Sequence, residues 1–147
     1  MSKSFLSAAA VAFVFISCKK TELPSLPKPV TKIDMLTYSS WKLKAEGFDN
    51  NNDDSIDIDE TPAFPCFLDN LTFFYKEGKG SFDQGQTKCD PNHAQSRKFD
   101  WQFINTDSIF IDFQPYKILS LSESSFVISY EDVFTPPPNT YILKLAH

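Results

Sequence analysis

Beyond residue 40, hydrophobic and polar positions alternate with a period of two along most of the chain. Trp41, Leu43 and Ala45 fall on one side of an extended segment, with Lys42, Lys44 and Glu46 on the other. Leu71, Phe73 and Tyr75 form a second row, and Phe99, Trp101 and Phe103 a third. Ile109, Ile111 and Phe113 form a fourth, opposite Ser108 and Asp112. With 81–87, 116–121, 126–130 and 141–145, the pattern predicts about eight short strands. Turn residues separate them: Glu77 and Gly78, Asn105 to Asp107, Gln114 and Pro115, Ser122 to Ser125, and Pro136 to Asn139.

Such alternation means that each strand has one buried and one wet face, the signature of antiparallel pairing. Short connections favour successive hairpins, so the expected fold class is all-β. It is an antiparallel, up-and-down barrel of about eight strands, with an immunoglobulin-like sandwich as the second choice. One helical signal precedes the strands. At 31–39, Thr31 followed by Asp34 resembles a capping box, and Ile33 and Leu36 share a face.

The first residues carry an address. Lys3 supplies positive charge, and an apolar run from Phe5 to Ser17 follows. That run is shorter than the ~20 apolar residues that a spanning helix needs, so it reads as a signal-peptide core. It ends in Phe15-Ile16-Ser17-Cys18, which resembles the bacterial lipoprotein cleavage box, in which the Cys becomes the lipidated N-terminus. The expected division is 1–17 signal peptide, 18–30 lipidated Cys18 with a tether, and 31–147 folded domain. Pro24, Pro27 and Pro29 make the tether extended rather than helical. Acyl chains on Cys18, at about 0.8 kcal/mol per buried methylene, would hold the domain on a membrane. Lys19 and Lys20 follow the anchor where inner-membrane retention would call for aspartate, so the expected address is the outer membrane of a bacterial cell envelope.

Charge and composition narrow the function. With 14 Lys+Arg against 19 Asp+Glu and a net charge of −5, the chain lacks the basic balance of a nucleic-acid binder. Only 4 Gly leave no material for a glycine-rich phosphate loop. The 3 Cys divide into one anchor and one pair. A two-residue hairpin centred on Glu77 and Gly78 sets Cys66 opposite Cys89 and Phe73 opposite Phe82. A Cys66–Cys89 disulfide is therefore expected in an oxidising compartment.

The segment 49–60 places Asp49, Asn51, Asp53, Ser55, Asp57 and Glu60 at the first, third, fifth, seventh, ninth and twelfth positions of a calcium loop. Oxygen ligands at that spacing can converge on one hard cation, so calcium is the candidate cofactor. Asp54 stands where the sharp turn calls for Gly, and Pro62 and Pro65 bar the usual exit helix. No GxSxG, HExxH, P-loop or GxGxxG occurs, and neither His93 nor His147 has a partner base or nucleophile at a telling spacing. The expectation is a protein that is not an enzyme. Trp41, Phe73, Phe99, Trp101, Phe103 and Tyr141 are candidates for lining a cavity that holds a small hydrophobic ligand. The alternative is an envelope component with a filled core that acts through its outer surface. An interior pocket of about 300 Å³ or more would favour the first.

These features occur in a telling order. After Cys18 and a short linker, a helix enters Ser40-Trp41-Lys42-Leu43. An Asp/Asn-rich loop leads to Cys66-Phe67-Leu68-Asp69-Asn70, followed by a glycine turn, Gly85 to Pro91 around Cys89, and the strand Phe99 to Phe103 centred on Trp101. The chain resembles the lipocalin-like lipoproteins of Bacteroidetes cell envelopes over 31–147. The resemblance implies a lipocalin-like β-barrel, with Trp41 matching the Trp of the first lipocalin strand.

Overall fold

The computed structural model describes residues 31–133 and 139–147. The expected signal peptide, Cys18 and tether lie outside the described residues. The elements run α1 (Lys32–Thr37), β1 (Lys42–Asp49), β2 (Ile58–Asp59), α2 (Pro65–Leu68), β3 (Leu71–Tyr75) and β4 (Lys79–Asp83). β5 (Ser96–Asn105), β6 (Ser108–Ile111), β7 (Gln114–Leu121), β8 (Ser125–Asp132) and β9 (Asn139–Ala146) follow. All nine strands form one antiparallel sheet in the order β2-β1-β9-β8-β7-β6-β5-β4-β3. The fold is thus all-β and up-and-down, with short helices.

The sheet curls until its distant strands touch. Phe74 of β3 lies 6.0 Å from Phe126 of β8, ring centre to ring centre. The ladder does not close all the way round. Between the start of β1 and β3 it is reduced to one bridge, in which Trp41 and Thr72 exchange two N–H···O bonds of 2.8 Å. Above that bridge β1 pairs with β2 instead, which leaves a seam between β1 and β3.

The core lies on the concave face. Leu36, Trp41, Phe74, Phe99, Trp101, Ile109, Ile118, Phe126 and Ile128 form one buried cluster. Phe74 packs edge-on against Phe99 and Trp101, at 5.5 and 5.7 Å. Gly80 sits opposite Phe99 because the ring covers it: a Cβ there would meet the Phe99 ring at 2.3 Å.

α1 packs across one end of this core. Thr31 caps it by accepting the Asp34 N–H at 3.0 Å, as the sequence predicts, and Leu36 is its fully buried residue. Lys76 reaches Asp34 at 2.6 Å and Lys32 reaches Asp107 at 3.7 Å, tying the helix to the β3–β4 and β5–β6 turns. Both pairs are exposed, so they orient the helix and add little to stability.

Three expectations need correction. Phe74 and not Phe73 faces the core, and Tyr75 is exposed. The β3–β4 hairpin has three loop residues, with Gly78 at φ 75°, so Phe73 pairs with Ser81 and not with Phe82. That shift of one residue turns the whole strand over. The β6–β7 turn falls on Asp112 and Phe113, both at positive φ, which leaves Phe113 89% exposed and puts Pro115 inside β7. In β1, the pairing shifts between Leu43 and Ala45. Leu43 sits opposite Leu145, but past the bulge it is Glu46 that sits opposite Leu143 and Phe48 opposite Tyr141. Directly paired residues share a face, and Leu143 and Leu145 pack on the core. Glu46, expected on the wet side, therefore belongs to the concave face.

Candidate functional site: a pocket at the seam of the sheet

Where the ladder fails between β1 and β3, the concave face keeps a pocket of about 260 Å³. Leu43, Leu143 and Leu145 from β1 and β9 form one wall, Thr72 and Phe82 from β3 and β4 the other. Pro62, Phe67 and Asn70 close it from the segment around α2. Local sequence explains the cover. Pro65 starts α2 at a position where its missing N–H costs nothing, and the four-residue helix ends at Leu68, which leaves Phe67 beside the seam.

A wider depression of about 590 Å³ shares Phe67, Asn70 and Phe82 with the pocket and reaches Gln84, His93 and Arg97. The Cys66–Cys89 disulfide borders it, with Cα atoms 5.1 Å apart. Asp69 fixes the same loop by accepting the Gln86 and Thr87 N–H groups at 3.0 and 2.8 Å. The disulfide forms as the sequence predicts, although the hairpin register differs by one residue. Cys66 lies in α2 and Cys89 in the β4–β5 loop, beyond the paired segment, where the loop absorbs the difference.

Of the residues lining the seam pocket, Glu46 alone is ionisable. Its backbone is held by the segment just after β2: Glu60 N–H donates to Glu46 O at 2.9 Å, and Glu46 N–H donates to Thr61 Oγ1 at 2.9 Å. Burial first, and the neighbouring Glu60 carboxylate second, push Glu46 above the usual carboxylate range. The Tyr141 hydroxyl opposes them by favouring the ionised form. Beside Glu46 runs a row of rings on the concave face. Phe48 meets Tyr141 at 4.9 Å, Tyr141 meets Tyr130 at 5.5 Å, and Tyr130 meets Tyr116 at 5.6 Å. Burial raises all three tyrosine hydroxyls above their ordinary range, with Glu46 and Glu60 adding to the effect at Tyr130 and Tyr141.

The raised Glu46 has a consequence for stability. A carboxyl that holds its proton more tightly when folded stabilises the fold below the unfolded-state value of about 4.3, and that contribution is lost as pH rises. Glu46→Gln is expected to melt higher than the native protein at pH 8. The gap should close as the pH is lowered through the carboxylate range. A gap that stays constant from pH 8 to pH 4 in thermal melts would mean that Glu46 is not strained by its surroundings.

The six aromatic candidates fall elsewhere. Trp41, Phe99 and Trp101 are buried in the core, Phe103 packs against it, Phe73 lies on the convex face, and Tyr141 stands next to Glu46. None of the six lines the seam pocket.

The acidic loop divides in two. The Asp49 side chain is buried and accepts the N–H groups of Asp53 and Asp54, at 3.3 and 2.9 Å. Asp57 accepts those of Asn50 and Asn51, at 2.8 and 3.3 Å, and Asn51 also donates to Asp53. Ser55 joins through its N–H to Asp53. Glu60 leaves this group, and its charge is felt at Glu46 and the tyrosines. Among the described residues no cluster of three or more His, Cys, Asp or Glu is arranged to hold a metal.

Comparison with known proteins returns no matching family model and no matching curated protein.

Proposed function

We propose that the protein is a non-enzymatic, lipid-anchored component of a bacterial cell envelope, of lipocalin-like type, whose curled sheet binds a small, largely apolar molecule at its seam. The observation that supports this most is the 260 Å³ pocket walled by Leu43, Leu143, Leu145 and Phe82. Its volume is just below the ~300 Å³ floor of drug-sized ligand sites, so the occupant is fragment-sized. The anchor is Cys18, followed by the Pro-rich tether.

Two experiments test the two halves. Cys18→Ser is expected to move the full chain from the detergent-rich to the aqueous phase in phase partitioning; an unchanged distribution would remove the anchor. Titration calorimetry with cyclohexylmethanol is expected to show saturable binding that Leu143→Trp abolishes by filling the pocket. Absence of binding both by this alcohol and by the amine of the same shape, cyclohexylmethylamine, would overturn the ligand reading.

A second reading, an interaction protein that works through its outer surface, draws on one feature. Tyr75, Phe110 and the exposed Phe113 line a convex-face groove of about 720 Å³. Under that reading Phe113→Ser would release a partner captured by the native protein.

A further inference from the structure

The seam pocket contains one acid, Glu46, that no cation among the described residues answers. Among the described residues no lysine, arginine or histidine pairs with Glu46, and none lines the pocket. The Glu46 side chain is hydrogen-bonded to the Tyr141 hydroxyl, and the charge that acts on it is a second acid, Glu60, whose backbone N–H is bonded to the Glu46 carbonyl. The β1 bulge is what turns Glu46 inward, opposite Leu143, into a wall otherwise made of leucines. A carboxylate in apolar surroundings is costly unless it is paired. Burial first, and Glu60 second, accordingly make its ionisation less favourable than that of a free carboxyl.

Resting on the ligand reading given above, we propose that the seam pocket is specific for small amphipathic amines, whose ammonium group pairs with Glu46 while the apolar body contacts Leu43, Leu143, Leu145 and Phe82. The Tyr141 hydroxyl supports the ionised carboxylate that such a ligand requires. The ammonium supplies the opposite charge that is missing among the described residues, and so offsets the repulsion between Glu46 and Glu60. A neutral ligand of the same shape gains only the apolar contacts. An acid would set a second negative charge against Glu46 in the pocket and is disfavoured.

Two probes of nearly equal shape test this on the full chain: cyclohexylmethylamine and cyclohexylmethanol, titrated at pH 7. The amine is expected to bind at least tenfold more tightly than the alcohol. In Glu46→Gln, which removes the carboxylate at nearly constant volume, the amine is expected to lose its advantage, so that the two affinities converge. Equal affinities in the native protein, or a preference for the amine that survives in Glu46→Gln, would overturn the amine specificity while leaving the pocket as a ligand site. If neither probe binds, the ligand reading itself fails.

Discussion

Replacing Trp41 by alanine is expected to destabilise the protein by about 3–5 kcal/mol, the cost typical of emptying a large aromatic site in a core. The effect is large because three functions meet in this residue. Its side chain is fully buried, with its ring 5.7 Å from Phe126 and 4.0 Å from His147. Its indole Nε1–H donates to the Leu36 carbonyl at 2.9 Å, which holds the end of α1 over the core. Its backbone makes the one bridge that joins β1 to β3. Alanine keeps the bridge but leaves a cavity, and the Leu36 carbonyl loses its donor. Domains of this kind are stable by only about 5–15 kcal/mol, so a loss of this size consumes much of the margin. Urea denaturation should show the midpoint falling with an unchanged slope. A loss below about 1 kcal/mol would mean that the ring is not the centre of the closed end.

The second large effect concerns the Cys66–Cys89 disulfide. The double variant Cys66→Ser, Cys89→Ser is expected to lose about 3 kcal/mol, the chain-entropy value for a loop of this length. The bridge joins α2 to the β4–β5 loop, two segments that no strand pairing connects. Asp69 provides a second tie through the Gln86 and Thr87 N–H groups. The native protein should show the same loss when reductant is added during chemical denaturation. A loss under about 1 kcal/mol in both measurements would assign the loop to Asp69 instead. Because Phe67 lies between Cys66 and the seam, the double variant should also bind the pocket probes more weakly.

Much of the fold was legible in the alternation of residue types. The row Phe99, Trp101 and Phe103 points inward as read, and Thr31 caps the helix that its spacing with Asp34 implied. The disulfide was legible from hairpin spacing even though the register is one residue off, because both cysteines lie beyond the paired strands and the β4–β5 loop around Cys89 absorbs the difference. What period-two reading misses is any event that shifts phase. A three-residue turn instead of a two-residue turn turned β3 over and exchanged Phe73 for Phe74. A bulge after Leu43 brought Glu46 to the concave face. β2, with two residues, and α2, with four, are too short to leave a periodic signal.

The site was less legible for the same reason. The aromatic residues that mark the core by their size are consumed in filling it. The pocket arises where the ladder between β1 and β3 is reduced to one bridge, with leucines on one wall and Thr72 and Phe82 on the other. Pairing failure is a property of the whole sheet, and no local motif announces it. Glu46 reads from the alternation as a wet-side residue, and only the bulge brings it to the pocket.

The most direct test of the account is a methyl-resolved NMR titration of the full chain with cyclohexylmethylamine. The account predicts that the methyl signals of Leu43, Leu143 and Leu145 shift together and saturate, while those of Ile118 and Ile128, deep in the core, stay in place. Leucine signals that do not move, or shifts confined to the convex groove around Phe110 and Phe113, would contradict it.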